Sequence, residues 1–173
     1  NKNVLDVCCA PGGKTFQLLD RGAKVTAIDK SPSRISVMKE NISRLGYKVD
    51  LVCEDIFKFT PKKKYDYILL DPPCTSTGTL SKNPDLMFLD PYKRLKNLLK
   101  MQENLLQSST NWISKGGLII YSVCSLLREE GEDQILRFLK INKTFKQIHA
   151  DVNGFHLDQS NIDKNGGIRV SPH

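Results

Sequence analysis

The chain has 173 residues, of which 39% are apolar and 26% charged, the balance of one globular domain with a full hydrophobic core and not of a disordered tail. Lys and Arg number 26 against 19 Asp and Glu, a net charge of +7 that suits a polyanion such as RNA, and equally a lysine-rich proteome. No run approaches the roughly 18 apolar residues of a membrane span, and no signal peptide is visible, so the expected setting is the cytoplasm.

Short apolar, β-branched runs alternate with helical patterns from one end to the other. The expected strands are Val4–Val7, Lys24–Asp29, Val49–Cys53, Tyr65–Asp71, Gly117–Val123 and Phe145–His149. Most are continuous rather than alternating in hydrophobicity, as in parallel strands covered on both faces. The first helix opens directly after the glycines of CAPGGK. A second, capped by Ser31 or Ser33, carries Ile35, Met38, Ile42 and Leu45 at helical spacing and stops at Gly46. A long one over Pro91–Ser114 is expected to close at Gly116–Gly117, and another covers Glu129–Ile141. This βαβαβ order predicts an α/β doubly wound sheet whose ligands lie at the carboxyl ends of the strands. Lys62–Lys64 reads as a solvated turn, Thr75–Asp90 as a long loop without periodicity, and Asp151–Gly167 as a polar surface loop. Both ends of the chain look cut, which predicts one domain of a longer protein.

The first loop, LDVCCAPGGKT, joins a strand to a helix, the context of a cofactor loop. Gly12 and Gly13 let backbone approach a ligand, and the helix N-terminus offers free N–H groups. A phosphate-binding P-loop fails, because its first glycine would fall at Cys8, and GxGxxG is absent. Asp29 ends the second strand, where a carboxylate can accept ribose hydroxyls or simply cap the next helix. Asp55 ends the third, where an adenine edge would lie or a plain turn would do. Three such elements at successive strand ends suit a nucleoside without phosphates.

Five cysteines form no CxxC pair, and His149, His156 and His173 lie apart, so neither structural zinc nor another metal site is expected. An odd count without a signal peptide argues for reduced thiols. Cys8, Cys9 and Cys53 read as packing residues. Cys74 and Cys124 differ, since each follows an apolar strand, in DPPCTSTGTL and IIYSVCS. Amino-nitrogen methyltransferases carry an aromatic residue after the two prolines to stack on the base, and here that slot holds Cys74. An amino nitrogen needs no thiol, whereas carbon 5 of a pyrimidine becomes nucleophilic only once something adds at carbon 6, which a thiolate does well. A single cysteine is more often a small buried hydrophobe. Two at neighbouring strand ends point to carbon methylation of a base.

LDVCCAPGGKT, AIDKS, CEDIF, DPPCTSTGTLSKNPD, YSVCSLLREEGEDQI and RVSPH resemble, in order and spacing, the RNA cytosine-carbon-5 methyltransferases of the Sun type (RsmB-like, also called Fmu). The resemblance covers nearly the whole chain and departs from the usual family pattern at Cys9, at SKNPD and at Val123. It implies a class I S-adenosylmethionine-dependent methyltransferase (Rossmann-like) fold, mostly parallel, with strand order 3-2-1-4-5, antiparallel last strands and the final strand truncated. It implies S-adenosyl-L-methionine as cofactor, held by Cys8, Cys9, Ala10, Pro11, Gly12, Gly13, Lys14, Asp29, Asp55 and Asp71. It also implies that Cys124 is the nucleophile, that Cys74 helps release product, and that Lys14 and Asp71 hold the cytosine. The partner implied is RNA, small-subunit ribosomal RNA in preference to transfer RNA, with a monomer as the default and no metal or membrane. Residues 1–173 then form the catalytic domain, the family's N-terminal RNA-binding domain lying outside them. Two other readings stay open: an amino-nitrogen methyltransferase of the same fold, and a catalytically silent RNA-binding module.

Overall fold

The computed structural model describes residues 2–149 and 159–170. Two compact units share the chain, Asn1–Pro73 with Met101–Val123 and Cys74–Lys100 with Cys124–His173.

The first unit holds β1 (Asn3–Val7), α1 (Gly13–Asp20), β2 (Lys24–Asp29), α2 (Pro32–Leu45), β3 (Asp50–Cys53), β4 (Tyr65–Leu70), the later part of α3 (Tyr92–Trp112) and β5 (Ile113–Tyr121). The strands form one sheet in the order β3-β2-β1-β4-β5, every pair parallel. The continuous apolar runs explain this, because Val4, Leu5, Val7, Ala27, Ile28, Ile68 and Leu70 are all buried, as strands covered on both faces require. The Ser31 hydroxyl accepts the Arg34 N–H at 3.4 Å and Pro32 opens α2, while Gly46 at φ 70 ends it. Ile35 and Met38 are the buried face of that helix. Val7 stands opposite both Ile28 and Leu70, and Asp29 opposite Cys53, so the carboxyl ends of four strands line up along one edge.

Four expectations change. The glycines Gly116 and Gly117 do not separate helix from strand. The strand starts at Ile113, directly after Trp112, and the two glycines form an irregularity within it, where pairing steps from Tyr65–Ile113 to Tyr67–Leu118. A Cβ on Gly117 would stand 2.8 Å from the Asp66 carbonyl oxygen, so the close strand approach needs glycine there. Phe145–His149 is not a strand: the Phe145 ring packs edge-on against Phe138 at 5.3 Å instead of aligning with a sheet edge. Among the described residues nothing follows β5 in the sheet, so its antiparallel last strands are absent there. Cys53 is exposed rather than packed, because β3 is the edge strand of the sheet.

The second unit contains short 3₁₀ turns at Thr77–Thr79 and Pro84–Phe88, the start of α3, and α4 (Glu132–Ile141). A further 3₁₀ turn lies at Gln159–Asn161, and Ile162 and Ile168 form one antiparallel bridge. The acidic residues Glu132 and Asp133 occupy the first turn of α4 and Lys140 the last, matching the helix dipole. Residues 151–158 of the polar stretch, with His156, and the terminal SPH with His173 lie outside the described residues.

Candidate active site

In the first unit the chain turns sharply between β1 and α1. Cys8 has φ 61 and Gly12 φ 110, and the Ala10–Pro11 peptide bond is cis. The Gly12 N–H closes back onto the Cys9 carbonyl at 2.9 Å. Any side chain at Gly12 would be strained, and its Cβ would stand 2.6 Å from the Phe16 ring. Ala10 donates its N–H to Asp29 Oδ2 at 3.2 Å, Ser31 donates to Oδ1 at 2.9 Å, and the Arg34 guanidinium lies 3.2 Å from Oδ2. The buried Asp29 carboxylate therefore braces the first loop and the start of α2 together. Asp55 sits just past β3 and accepts the Phe57 N–H at 3.0 Å. Asp71 follows β4, with its N–H on the Val7 carbonyl at 3.3 Å and its carboxylate 2.6 Å from Lys14 Nζ. Cys8 to Lys14, Asp29 and Asp71 thus gather at the carboxyl ends of β1, β2 and β4, the edge where open α/β sheets take ligands.

Asp6 belongs to this edge too, although no motif singled it out. It is 1% exposed, and its Oδ2 accepts the Thr15 hydroxyl at 2.5 Å. Its Oδ1 is buried and has no hydrogen-bond partner. Burial, only partly offset by the Thr15 bond, pushes the carboxyl from 3.8 up to about 6. The available signal was an acid inside the apolar run VLDV, where a carboxylate is costly unless something answers it.

The second unit carries the thiols. Cys74 Sγ and Cys124 Sγ lie 3.3 Å apart, Cys74 half-buried and Cys124 exposed. The Ser76 hydroxyl accepts from Cys124 Sγ at 3.4 Å and lies 3.8 Å from Cys74 Sγ. Ser76 holds φ 59, unusual for a residue with a side chain. The hydrogen bond with Cys124, and then burial, drive the Cys74 thiol well above the ordinary thiol range. The two segments are also fastened together: Gly78 N–H bonds the Cys124 carbonyl at 3.0 Å, and the Leu126 N–H bonds Thr77 Oγ1 at 2.8 Å. Glu130, fully buried, accepts from the Thr75 N–H and hydroxyl. Ser76, Thr75 and Glu130 had no motif of their own, since a serine or threonine beside a cysteine is common in any loop.

The thiols of the first loop sit in a different setting. Burial pushes Cys8 up to about 12 and raises Cys9 as well, and Cys9 donates to the Met38 sulfur at 3.6 Å within the core. A cavity of about 350 Å³ lies among Arg128, Glu132, Asp163, Lys164, Asn165 and Arg169, and none of the residues expected to carry chemistry lines it. Arg169, from the RVSPH motif, forks onto Glu132 at 2.6 and 2.7 Å and donates to the Leu126 carbonyl at 3.0 Å. It therefore braces the segment that follows Cys124. Among the described residues no helix is long and apolar enough to cross a membrane, and no cluster of three or more His, Cys, Asp or Glu could hold a metal.

The sequence profile of the 16S rRNA methyltransferase RsmB/F family matches residues 1–173. The chain belongs to this family. This RsmB/F member is 34% identical over 176 residues to ribosomal RNA small subunit methyltransferase B of Shewanella oneidensis, covering 94% of this chain and 41% of that protein. It is 36% identical over 144 residues to the Citrobacter koseri protein of the same name, covering 80% of this chain and 34% of that one. Among solved structures it is similar to PH0851, with a TM-score of 0.88 and 30% identity, covering 98% of this chain and 39% of that one. It is similar also to NSun6 from Pyrococcus horikoshii, solved with SFG, at a TM-score of 0.73 and 34% identity, covering 90% of this chain and 42% of that one. The chain spans a third to two fifths of the length of the curated relatives it matches. The RsmB/F chain has the Rossmann-like fold of class I S-adenosylmethionine-dependent methyltransferases, as the resemblance implied.

Proposed function

We propose that the protein transfers a methyl group from S-adenosyl-L-methionine to carbon 5 of a cytosine in small-subunit ribosomal RNA, through a covalent bond between Cys124 and carbon 6. The observation that carries this reading is the pair of sulfurs 3.3 Å apart, at the two positions where the family resemblance puts nucleophile and release thiol. Membership of the RsmB/F family and the names of the curated relatives support a ribosomal RNA substrate and cytoplasmic action. In this reading residues 1–173 are the catalytic domain, and RNA capture is shared with the rest of a longer protein.

The residues present fit the cofactor. Asp6 Oδ1 is a buried acceptor awaiting a donor, and Asp29 retains acceptor capacity for a ribose hydroxyl. Cys8 to Lys14, Asp29, Asp55 and Asp71 would hold it. When bound, it supplies an electrophilic methyl group. The rest of the chemistry falls to this chain. Cys124, the more exposed sulfur, adds to carbon 6 and makes carbon 5 nucleophilic. Cys74 retains its proton, as its raised proton affinity favours, and assists when the Cys124–carbon 6 bond breaks. Asp71 and Lys14, paired at 2.6 Å, offer an acceptor and a donor to the cytosine amino and carbonyl groups.

The test mixes ribosomal RNA and S-adenosylmethionine with wild type, Cys74→Ala and Cys124→Ala on denaturing gels. An adduct that accumulates with Cys74→Ala and vanishes with Cys124→Ala is the expected result. Methylation that survives Cys124→Ala would overturn the mechanism in favour of amino-nitrogen transfer. RNA binding without transfer by wild-type protein would favour a silent module.

A further inference from the structure

Six residues beyond Cys124, Glu130 is 0% exposed, an unusual place for a carboxylate. Its Oε1 accepts the Thr75 N–H at 3.0 Å, and its Oε2 accepts the same N–H at 3.2 Å and the Thr75 hydroxyl at 2.5 Å. Thr75 directly follows Cys74. Its Oγ1 also lies 3.0 Å from the hydroxyl of Ser125, which directly follows Cys124. Ser125 Oγ lies 3.3 Å from Thr77 Oγ1 and accepts the Leu127 N–H at 3.1 Å. A buried carboxylate thus grips the neighbour of one thiol, and that neighbour is tied to the neighbour of the other. Burying a carboxylate is costly unless its hydrogen bonds are good, and three of them go to Thr75. Glu130 lies just before α4, whose N-cap is Gly131.

We infer that Glu130 is a positioning residue for the thiol pair: acting through Thr75 and Ser125, it sets Cys74 against Cys124. The inference deepens the carbon 5 methylation reading and takes its functional meaning from it. In the release step the carbon 5 proton leaves to a base and the carbon 5–carbon 6 double bond re-forms. The carbon 6–sulfur bond breaks with its electron pair on Cys124, and the Cys74 S–H hydrogen-bonds the departing sulfur. A misplacement of about 1 Å costs on the order of a hundredfold in rate for a geometry of this kind. Loss of Glu130 therefore acts on release, leaving capture of the base to Cys124.

The test reads sulfur placement without RNA. Diamide takes two hydrogens from a close thiol pair and leaves a Cys74–Cys124 disulfide, which mass spectrometry of the peptides quantifies. Wild type, Glu130→Ala, Glu130→Gln and Ser125→Ala are compared, each shown to be folded at the assay temperature by its melting curve. Glu130→Ala is expected to slow disulfide formation about tenfold or more, and Ser125→Ala to slow it less. Glu130→Gln lies between, because its amide oxygen still accepts the Thr75 N–H. With RNA and S-adenosylmethionine, Glu130→Ala is expected to accumulate the covalent adduct as Cys74→Ala does. A folded Glu130→Ala with the wild-type disulfide rate overturns the inference. Should that variant not fold, an unchanged rate in both Glu130→Gln and Ser125→Ala overturns it as well. If the variants slow disulfide formation while wild type methylates no RNA and Cys74→Ala traps none, the positioning role stands and the methylation reading falls.

Discussion

Asp6→Asn isolates the cost of the half-satisfied carboxylate at the end of β1. In the folded protein Asp6 titrates at about 6, raised from 3.8 chiefly by burial. A raised carboxyl means that the folded state holds its proton more tightly than the unfolded chain does. Its contribution is therefore fully present below the unfolded value, and it is lost as pH rises through the folded one. The interval corresponds to about 3 kcal/mol, at 1.36 kcal/mol for each pH unit. Asn keeps the shape and a carbonyl to accept the Thr15 hydroxyl, but it does not titrate. Urea denaturation of both proteins from about pH 4 to about pH 7 should show wild type losing on the order of 3 kcal/mol relative to Asp6→Asn across that window. A difference that stays flat, or that grows in favour of wild type with rising pH, would refute the claim that Asp6 is a buried carboxyl without a second partner. The same variant should weaken S-adenosylmethionine binding, because an amide N–H then occupies the place of the waiting acceptor.

Two other outcomes follow from neighbouring features. Gly12→Ala forces a side chain into φ 110 with its Cβ 2.6 Å from Phe16, and should cost about 1–3 kcal/mol in denaturation and weaken cofactor binding in calorimetry. Gly13→Ala, whose Cβ would meet nothing within 4 Å inside α1, is the control and should be neutral or slightly stabilising. Arg169→Ala removes the fork on Glu132 and the bond to the Leu126 carbonyl, and should cost roughly 1–3 kcal/mol. Burial pushes Glu132 up, but the Arg169 bonds outweigh it and hold the carboxyl below its usual range, so this stabilisation is present at neutral pH and lost on acidification. An Arg169→Ala protein as stable as wild type at neutral pH would contradict that account.

The sheet was legible because its signals were local. Apolar runs bounded by turns marked five parallel strands, and a serine, Ser31 or Ser33, with Gly46 marked both ends of α2. Where pattern misled, longer-range packing had decided the outcome. Gly116 and Gly117 read as a helix stop, yet the demand for close approach to Asp66 absorbed them into a strand irregularity. Phe145 has strand propensity but found an aromatic partner in Phe138. Cysteine spacing and strand ends pointed to Cys74 and Cys124 as a pair, and the structure brings their sulfurs together. The residues that brace them were invisible, since Thr75, Ser76 and Ser125 look like ordinary loop polarity, and Glu130 like one charge in an acidic run. What distinguishes these residues is burial and partner choice, quantities that appear only once the chain has folded.

Asp6 and Glu130 show how burial sorts carboxylates into two kinds of work. Both are almost wholly removed from water, and neither could stay there at low cost without hydrogen bonds. Glu130 is met on both oxygens by the backbone and side chain of Thr75. An acceptor satisfied on both oxygens fixes what it holds, and what it holds is the residue next to Cys74. Asp6 has one oxygen met by Thr15 and the other left unmet. Leaving a buried acceptor unpaired costs about 1–3 kcal/mol, a penalty that a ligand donor removes on arrival. The satisfied carboxylate should therefore govern geometry, with variants changing the timing of release. The unsatisfied one should govern occupancy, with variants changing cofactor affinity and the dependence of stability on pH. If Glu130 variants altered cofactor affinity while Asp6 variants altered the thiol pair, this division would be wrong.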